Sequence, residues 1–465
     1  MVSTLSPSLV VRAAGVFLSA VLLSGCSSDA LFGEGPGAEA TVTTPSGVQS
    51  GLVTISYTPA SSRVTQSDIA VTYSEDGTSF RTASAGPGGS GTENLTVSAT
   101  GVSHTFVWDS GSDLDGERIA SITLRIRPDD GTSDSTSGFS VHNSRFLVAV
   151  ENRSIGRVRL YKLDVVDGDL VFASPHNTGG TDPYEILFDD GFYFVAHESS
   201  DNVAVFKLDE ANETLVSAAN SPFATDGSGS KYLATDGNRF FVSNVGTGTI
   251  TVFDFDTADG ELTLNPNSGV AVAGCRSLVA RSGHLYVASE TAGSIRIFDI
   301  AGDGELIENA ASPATGGGLA SPRAVVVAGT RLFAANATSA SLAGFVFLGD
   351  GSLTTLAGSP FSISNLGVEQ LAQNGSKLFA VTGSGQRFLS MTVDATGTVT
   401  KDSTSPEILS GSASGVVSGG SIAVTATTAS EEIYLWTIDS AGAVAPASPS
   451  PRDSGVQILR MAASD

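Results

Sequence analysis

Apolar positions in this chain fall in short runs that stop and restart with a long period. From residue 146 to the C-terminus one phrase recurs seven times: an apolar strand, a polar stop, a second strand carrying a large side chain, then a glycine turn. The second strands of the phrase begin at Val158, Val203, Ile250, Ile295, Leu342, Phe388 and Ile433, in steps of 45, 47, 45, 47, 46 and 45 residues. A period of that regularity marks one supersecondary unit copied around an axis. Three residues after each start stand Tyr161, Phe206, Phe253, Phe298, Phe345, Met391 and Trp436, one equivalent core layer. Six residues before each start stand Asn152, His197, Asn244, Ser289, Asn336, Thr382 and Thr427, side chains that hydrogen-bond backbone groups where a strand ends. Runs rich in Val, Ile and Phe between such stops predict strands. Each unit holds four, at 184–188, 192–196, 203–208 and 215–218 in the second copy. The 3.6-residue periodicity of a helical solenoid is absent, and four short antiparallel strands at this period predict the blades of a β-propeller.

The count of strands closes in an informative way. The first copy lacks an innermost strand, while the chain ends in a surplus one, Gly455-Val456-Gln457-Ile458-Leu459, similar to Gly367-Val368-Glu369-Gln370-Leu371. The C-terminal strand is therefore expected to complete blade one and remove the exposed edges of an open ring.

The texture before the repeats is different. Residues 1–25 carry Arg12, an apolar run at 13–23 and the small pair Ser24-Gly25 before Cys26, which is a signal peptide. Leu23-Ser24-Gly25-Cys26 resembles the bacterial lipobox, which implies acylation of Cys26, a membrane anchor through lipid, and with Ser27 next in the chain an outer-membrane lipoprotein of the cell envelope. The alternative is an ordinary secretory peptide. A flexible tether follows at 26–39. From 40 to 143 apolar residues alternate, as in Val53-Ile55-Tyr57 and Ile122-Leu124-Ile126, and predict a β-sandwich of immunoglobulin or fibronectin type III kind, with the propeller occupying 144–465. The whole is an all-β chain.

Composition narrows the chemistry. A net charge of -24 argues against nucleic acid as a partner, and the chain is expected to be a monomer without a cofactor. Cys275 is the one thiol besides Cys26, and it reads as a buried strand residue. The five histidines show no metal-ligand spacing. Asp109, Asp113, Asp115 and Glu117 crowd carboxylates into one turn and form a weak calcium candidate, although the spacing departs from an EF-hand loop.

Register supplies the site. Nineteen residues before each second-strand start stand Tyr184, Lys231, Arg276, Arg323, Glu369 and Ser414, and the closure above adds Gln457. Two positions later every residue is apolar, so the polar ring marks where each innermost strand begins, at one mouth of the central channel. Lys231, Arg276 and Arg323 on consecutive blades suit a carboxylate or phosphate. Glu369 is placed either to act as a general base or to pair with Arg323.

Phe241-Val242-Ser243-Asn244, Tyr286-Val287-Ala288-Ser289 and Phe333-Ala334-Ala335-Asn336, with Ala357-Gly358-Ser359-Pro360-Phe361, resemble the YVTN and lactonase-like seven-bladed propellers over 146–465. The resemblance implies a lactone hydrolase or cyclase related to phosphogluconolactonase. Cys275-Arg276-Ser277 stands where that family has Cys-His-Ser, and Pro322-Arg323-Ala324 where it has Pro-Arg-His. The imidazoles are replaced, leaving Arg276, Arg323 and Glu369 as catalytic candidates. Two classes stay open: a surface-displayed module binding a small anion, glycan or partner protein at the channel mouth, which the missing imidazoles favour, and a lactonase-type enzyme with an altered site. The sequence does not name the substrate.

Overall fold

The computed structural model describes residues 38–129, 131–151, 156–164, 170–363, 367–382, 386–403, 405, 407–409, 413–419, 422–427, 431–438, 443–447, 450–454 and 456–464. The expected signal peptide, Cys26 and most of the tether lie outside them.

Residues 38–142 form two principal sheets. Glu39–Val42, Leu52–Ala60 and His104–Asp109 make one, and Phe139–His142, Arg118–Pro128, Ile69–Ser74 and Arg81–Thr82 make the other. Alternation puts every second side chain inward, so Val53, Ile55, Tyr57, Phe106 and Trp108 meet Val71, Tyr73, Ile122, Leu124 and Ile126 in one core between the sheets. The acidic turn behind this core is committed to the fold. Asp109 caps the short helical turn Ser110–Asp113, and Asp113 accepts from Trp108 Nε1 at 2.6 Å and from Ser84 N at 2.8 Å. No group of three or more His, Cys, Asp or Glu residues placed to hold a metal occurs among the described residues. No helix among them is long and apolar enough to cross a membrane.

Seven antiparallel sheets follow, two of four strands and five in which a short fifth strand also pairs with the third; six run as meanders and the first takes its innermost strand from the C-terminus. The predicted layer of Tyr161, Phe206, Phe253, Phe298, Phe345, Met391 and Trp436 is buried throughout. Seven apolar clusters fill the spaces between neighbouring blades, one of them joining blade seven to blade one. The blades are thus stabilised by their neighbours rather than by cores of their own.

The outermost strand of most blades is split in two. In blade two, Thr214–Ser217 and Phe223–Ala224 both pair with Asn202–Asp209. At the break a serine hydroxyl accepts the N–H that an unbroken strand would have taken: Val205 donates to Ser221, Val252 to Ser268, Ile297 to Ser312, Gly344 to Ser359, Ser390 to Ser405 and Leu435 to Ser450, at 2.8–3.1 Å.

The ring closes as the sequence predicts. Ile458–Ala463 pairs with Ser144–Glu151, with Leu147 opposite Ala463 and Glu151 opposite Ile458. Ser464 completes the seam: its hydroxyl accepts from Phe146 N at 2.9 Å. Glu151 holds the register of the strand-end polar residue in blade one, one place before the expected Asn152, which lies outside the described residues. It is 1% exposed and bridges Arg157 and Arg159 at 3.2 and 3.4 Å.

The two units join without a spacer. Asn143, fully buried, donates to the carbonyls of Ser110 and Leu114 and accepts from Gly51 N, so its amide ties three parts of the sandwich to the first propeller strand. Arg118 then forks onto Glu210 of blade two at 2.9 and 3.1 Å and donates to Ser144 O at 2.8 Å. The junction lies where the closing strand ends, the face of the propeller opposite the beginnings of the innermost strands.

Deleting residues 456–465 removes the packing of Ile458 and Met461 and should cost roughly 3–6 kcal/mol from those two side chains alone; an unchanged melting temperature would overturn closure by this strand. His197 gives a second expectation. It is buried against Thr178 Oγ1 at 2.7 Å, and burial pushes its pKa from 6.5 down to about 4. The unfolded chain takes up this proton near pH 6.5 while the fold resists it, so the stability is complete above pH 6.5 and is lost as pH falls toward 4. His197→Asn, the residue found in this register in blades three and five, should remove that pH dependence, on the order of 3 kcal/mol between pH 7.5 and 4 in urea titrations.

Candidate functional site

Each innermost strand opens with a residue paired to the strand-end position: Pro183 to His197, Ser230 to Asn244, Cys275 to Ser289, Pro322 to Asn336, Val368 to Thr382, Ala413 to Thr427 and Ile458 to Glu151. Directly after that pair the register shifts by one residue in all seven blades. A bulge of this kind releases a side chain from strict alternation and turns it out of the sheet. The bulge begins at Tyr184, Lys231, Arg276, Arg323, Glu369 and Ser414, the ring that the sequence register picks out. The Ser414 side chain lies outside the described residues.

Gln457 is a correction. It precedes the closing strand, is exposed, and takes no place in the ring. Leu459 holds that register in blade one, and Arg460 follows it.

The ring residues meet through carboxylates that sequence reasoning missed. Arg276 bonds Glu290 through Nε at 2.6 Å and Nη2 at 2.5 Å. Arg323 reaches the other oxygen of Glu290 through Nε at 2.6 Å and Glu369 through Nη1 at 2.7 Å. Lys231 bonds Glu198 at 2.6 Å. Glu198 and Glu290 stand in the same register, each directly after the strand-end residue. That shared register was the available signal.

Tyrosines complete the mouth. Tyr184 and Tyr232 meet edge to face at 5.5 Å, while Lys231 and Arg460 lie over the Tyr184 ring at 4.8 and 5.2 Å. Cations over an aromatic face are attracted by its quadrupole.

The electrostatics follow from this crowding. Burial opposes ionisation of Glu290, but hydrogen bonds from Arg323 and Arg276 outweigh it and hold the carboxyl below its usual range. Burial also lowers the affinity of Arg276 for its proton; the charges of Tyr232 and Glu290 reverse that effect and leave its pKa raised. Tyr232 is pushed upward by burial and then by Tyr184. Glu185, next along the chain from Tyr184, behaves differently: burial pushes its pKa up to about 7 against the pull of Arg460 and the Leu233 backbone. Cys275, at the strand start, is fully buried and its thiol is pushed up by burial, so it is a packing residue rather than a nucleophile.

The channel continues behind the ring. A cavity of ≈ 260 Å³ opens toward its other end, between Ile186, Phe188, Gln373, Val417 and Met461, with Arg145 at its edge.

The comparisons agree with this architecture. The family model described as lactonase, 7-bladed beta-propeller matches residues 120–227. A candidate 6-phosphogluconolactonase from Bacteroides fragilis superposes with a TM-score of 0.59 at 17% identity, covering 70% of this chain and 98% of its own. A second, from Bacteroides uniformis, gives 0.60 at 15% identity, covering 70% and 100%. The periplasmic gluconolactonase of Pseudomonas aeruginosa gives 0.58 at 18% identity, covering 69% and 99%. No curated protein matches the chain. By fold, residues 144–464 form a lactonase-like seven-bladed propeller.

Glu290 is the shared partner of two guanidinium groups, and removing it takes the carboxylate from Arg276 and leaves Arg323 with Glu369. Glu290→Ala should cost about 1–2 kcal/mol in a denaturant titration, whereas Glu75→Ala, at the exposed Arg81 pair of the sandwich, should leave the transition midpoint unchanged.

Proposed function

We propose that the propeller hydrolyses a lactone bearing an anionic group at the mouth where Arg276, Arg323 and Glu369 converge. The observation that carries this reading is the Arg276–Glu290–Arg323 array, two guanidinium groups fixed by one carboxylate at a channel mouth of a lactonase-like propeller. Each guanidinium has five N–H donors, more than Glu290 and Glu369 take up. Donors fixed before the substrate arrives need no reorganisation when charge develops on a carbonyl oxygen. The same donors suit the carboxylate of the product or a phosphate on the sugar.

The charge count sets the conditions. Lys231, Arg276, Arg323 and Arg460 face Glu185, Glu198, Glu290 and Glu369, so the mouth is neutral with all carboxylates ionised and carries one positive charge when Glu185 holds a proton. An anion then meets a mildly attractive site on a strongly acidic molecule.

The pairing of Lys231 with Glu198, and of both arginines with Glu290, favours a second reading, in which the mouth binds a small anion, glycan or partner without turnover. In either case we infer tethering through Cys26 at the outer membrane, with the sandwich as the stalk. Its junction on the opposite face supports a mouth directed away from the lipid surface.

The test is hydrolysis of 6-phosphoglucono-lactone and glucono-lactone by the full chain. Turnover that falls about 10²–10³-fold in Arg323→Ala is expected. Binding of 6-phosphogluconate by calorimetry without turnover of either lactone would support the second reading, and neither binding nor turnover would overturn both.

A further inference from the structure

We propose that Glu185 is the proton-transfer residue of this mouth, resting on the lactone reading above. Its placement follows from the bulge. Glu185 is the second residue after the opening pair of blade two, the register held by Arg460 in blade one, Tyr232 in blade three, Ser277 in blade four, Ala324 in blade five, Gln370 in blade six and Gly415 in blade seven. In two blades the side chain at this register serves a backbone need: Ser277 Oγ accepts from Val325 N at 3.2 Å and Gln370 Oε1 from Val416 N at 2.9 Å, each on the next blade's innermost strand. Glu185 meets the corresponding Leu233 backbone in the same way. A neutral side chain does this in blades four and six, so blade two has no structural need of a carboxyl.

The second oxygen of Glu185 is what the structural role leaves over. Oε2 is buried and has no hydrogen-bond partner. A buried carboxylate oxygen without a donor costs more than the neutral carboxyl does. The charged and titratable groups of this corner are Arg460 from the closing strand, Lys231 and Tyr232 from blade three, and Tyr184 and Glu198 of its own blade. Lys231 is bonded to Glu198 rather than to Glu185. Burial therefore dominates, and the group titrates near neutrality, where a general base and acid is most effective. Ala324, in the same register, stands where the lactonase-like resemblance has an imidazole. On this proposal the proton-carrying group is a carboxyl on blade two, where the resemblance has an imidazole on blade five.

Ionised Glu185 takes a proton from water as the water oxygen bonds to the lactone carbonyl carbon, and the carbonyl oxygen becomes an oxyanion facing Arg276 and Arg323. The acyl carbon to ring oxygen bond then breaks, and Glu185 returns its proton to the departing alkoxide. One water is consumed, one hydroxy acid forms, and Glu185 ends ionised.

The experiment compares the full chain with Glu185→Gln, the side chain that Gln370 shows to satisfy the same backbone site, and with Glu185→Asp. Carboxyl carbon NMR of glutamate-labelled protein should show one resonance titrating near pH 7 that is missing in Glu185→Gln; titration of that resonance in the ordinary carboxylate range would overturn the assignment. With 6-phosphoglucono-lactone, Glu185→Gln should lose about 10²–10⁴-fold in kcat at unchanged melting temperature, and Glu185→Asp should keep part of the rate with a displaced pH profile. An active wild type whose rate and pH profile survive Glu185→Gln would overturn the assignment alone. A wild type inactive on both lactones would overturn the lactone reading and this assignment together.

Discussion

A β-strand presents successive side chains to opposite faces, so a perfectly paired innermost strand offers the channel only alternate residues. One extra residue at the start of each innermost strand breaks that rule, and the mouth depends on it. Tyr184 and Glu185, Lys231 and Tyr232, and Arg276 and Ser277 are neighbours in sequence that act in one region because the bulge falls between them. Without it, the guanidinium of Arg276 and the hydroxyl of Ser277 would be separated by the plane of their own sheet. The bulge also explains why the following apolar residues, Ile186, Leu233 and Leu278, return to the cores between blades.

Much of this was legible in the sequence because the repeat is an averaging device. Seven copies of one strand-end position identify a register even where the residue varies from Asn to His to Thr. The ring residues were visible through that register, but their partners were not. Glu198 and Glu290 occur in only two blades, so no sevenfold pattern points to them, and Glu185 lies beside a ring residue at a position filled elsewhere by Arg, Tyr, Ser, Ala, Gln and Gly. The misplacement of Gln457 has a plain cause. The bulge spaces the buried residues of an innermost strand three apart, and both Val456 with Leu459 and Ile458 with Met461 satisfy that spacing. Only the pairing of Ile458 with Glu151 distinguishes them. The splitting of the outermost strands does leave a periodic trace that the sequence reading passed over: Ser221, Ser268, Ser312, Ser359, Ser405 and Ser450 recur 17 or 18 residues after the second-strand starts.

The sandwich contributes geometry rather than chemistry. Its own core is complete, so it does not need the propeller to bury apolar surface. What it shares with the propeller is polar and directional: the Asn143 amide and the Arg118 fork. Such contacts set orientation, and they hold the sandwich against the face opposite the ring. Mutual charge pairing plays a similar part at the mouth, where Glu290 and Glu369 fix arginines that would otherwise sample many rotamers.

The seam between Phe146 and Ser464 spans 318 residues of sequence, and this bears on how the molecule is made. A ribosome delivers the seven blades in order, yet the first blade stays one strand short until the final residues emerge. Throughout synthesis Ser144–Glu151 presents an unpaired edge, the kind of surface that recruits other strands. The last few residues of the chain therefore decide when the whole ring becomes a finished object, and an early stop codon near the end would leave almost the entire protein in place but open.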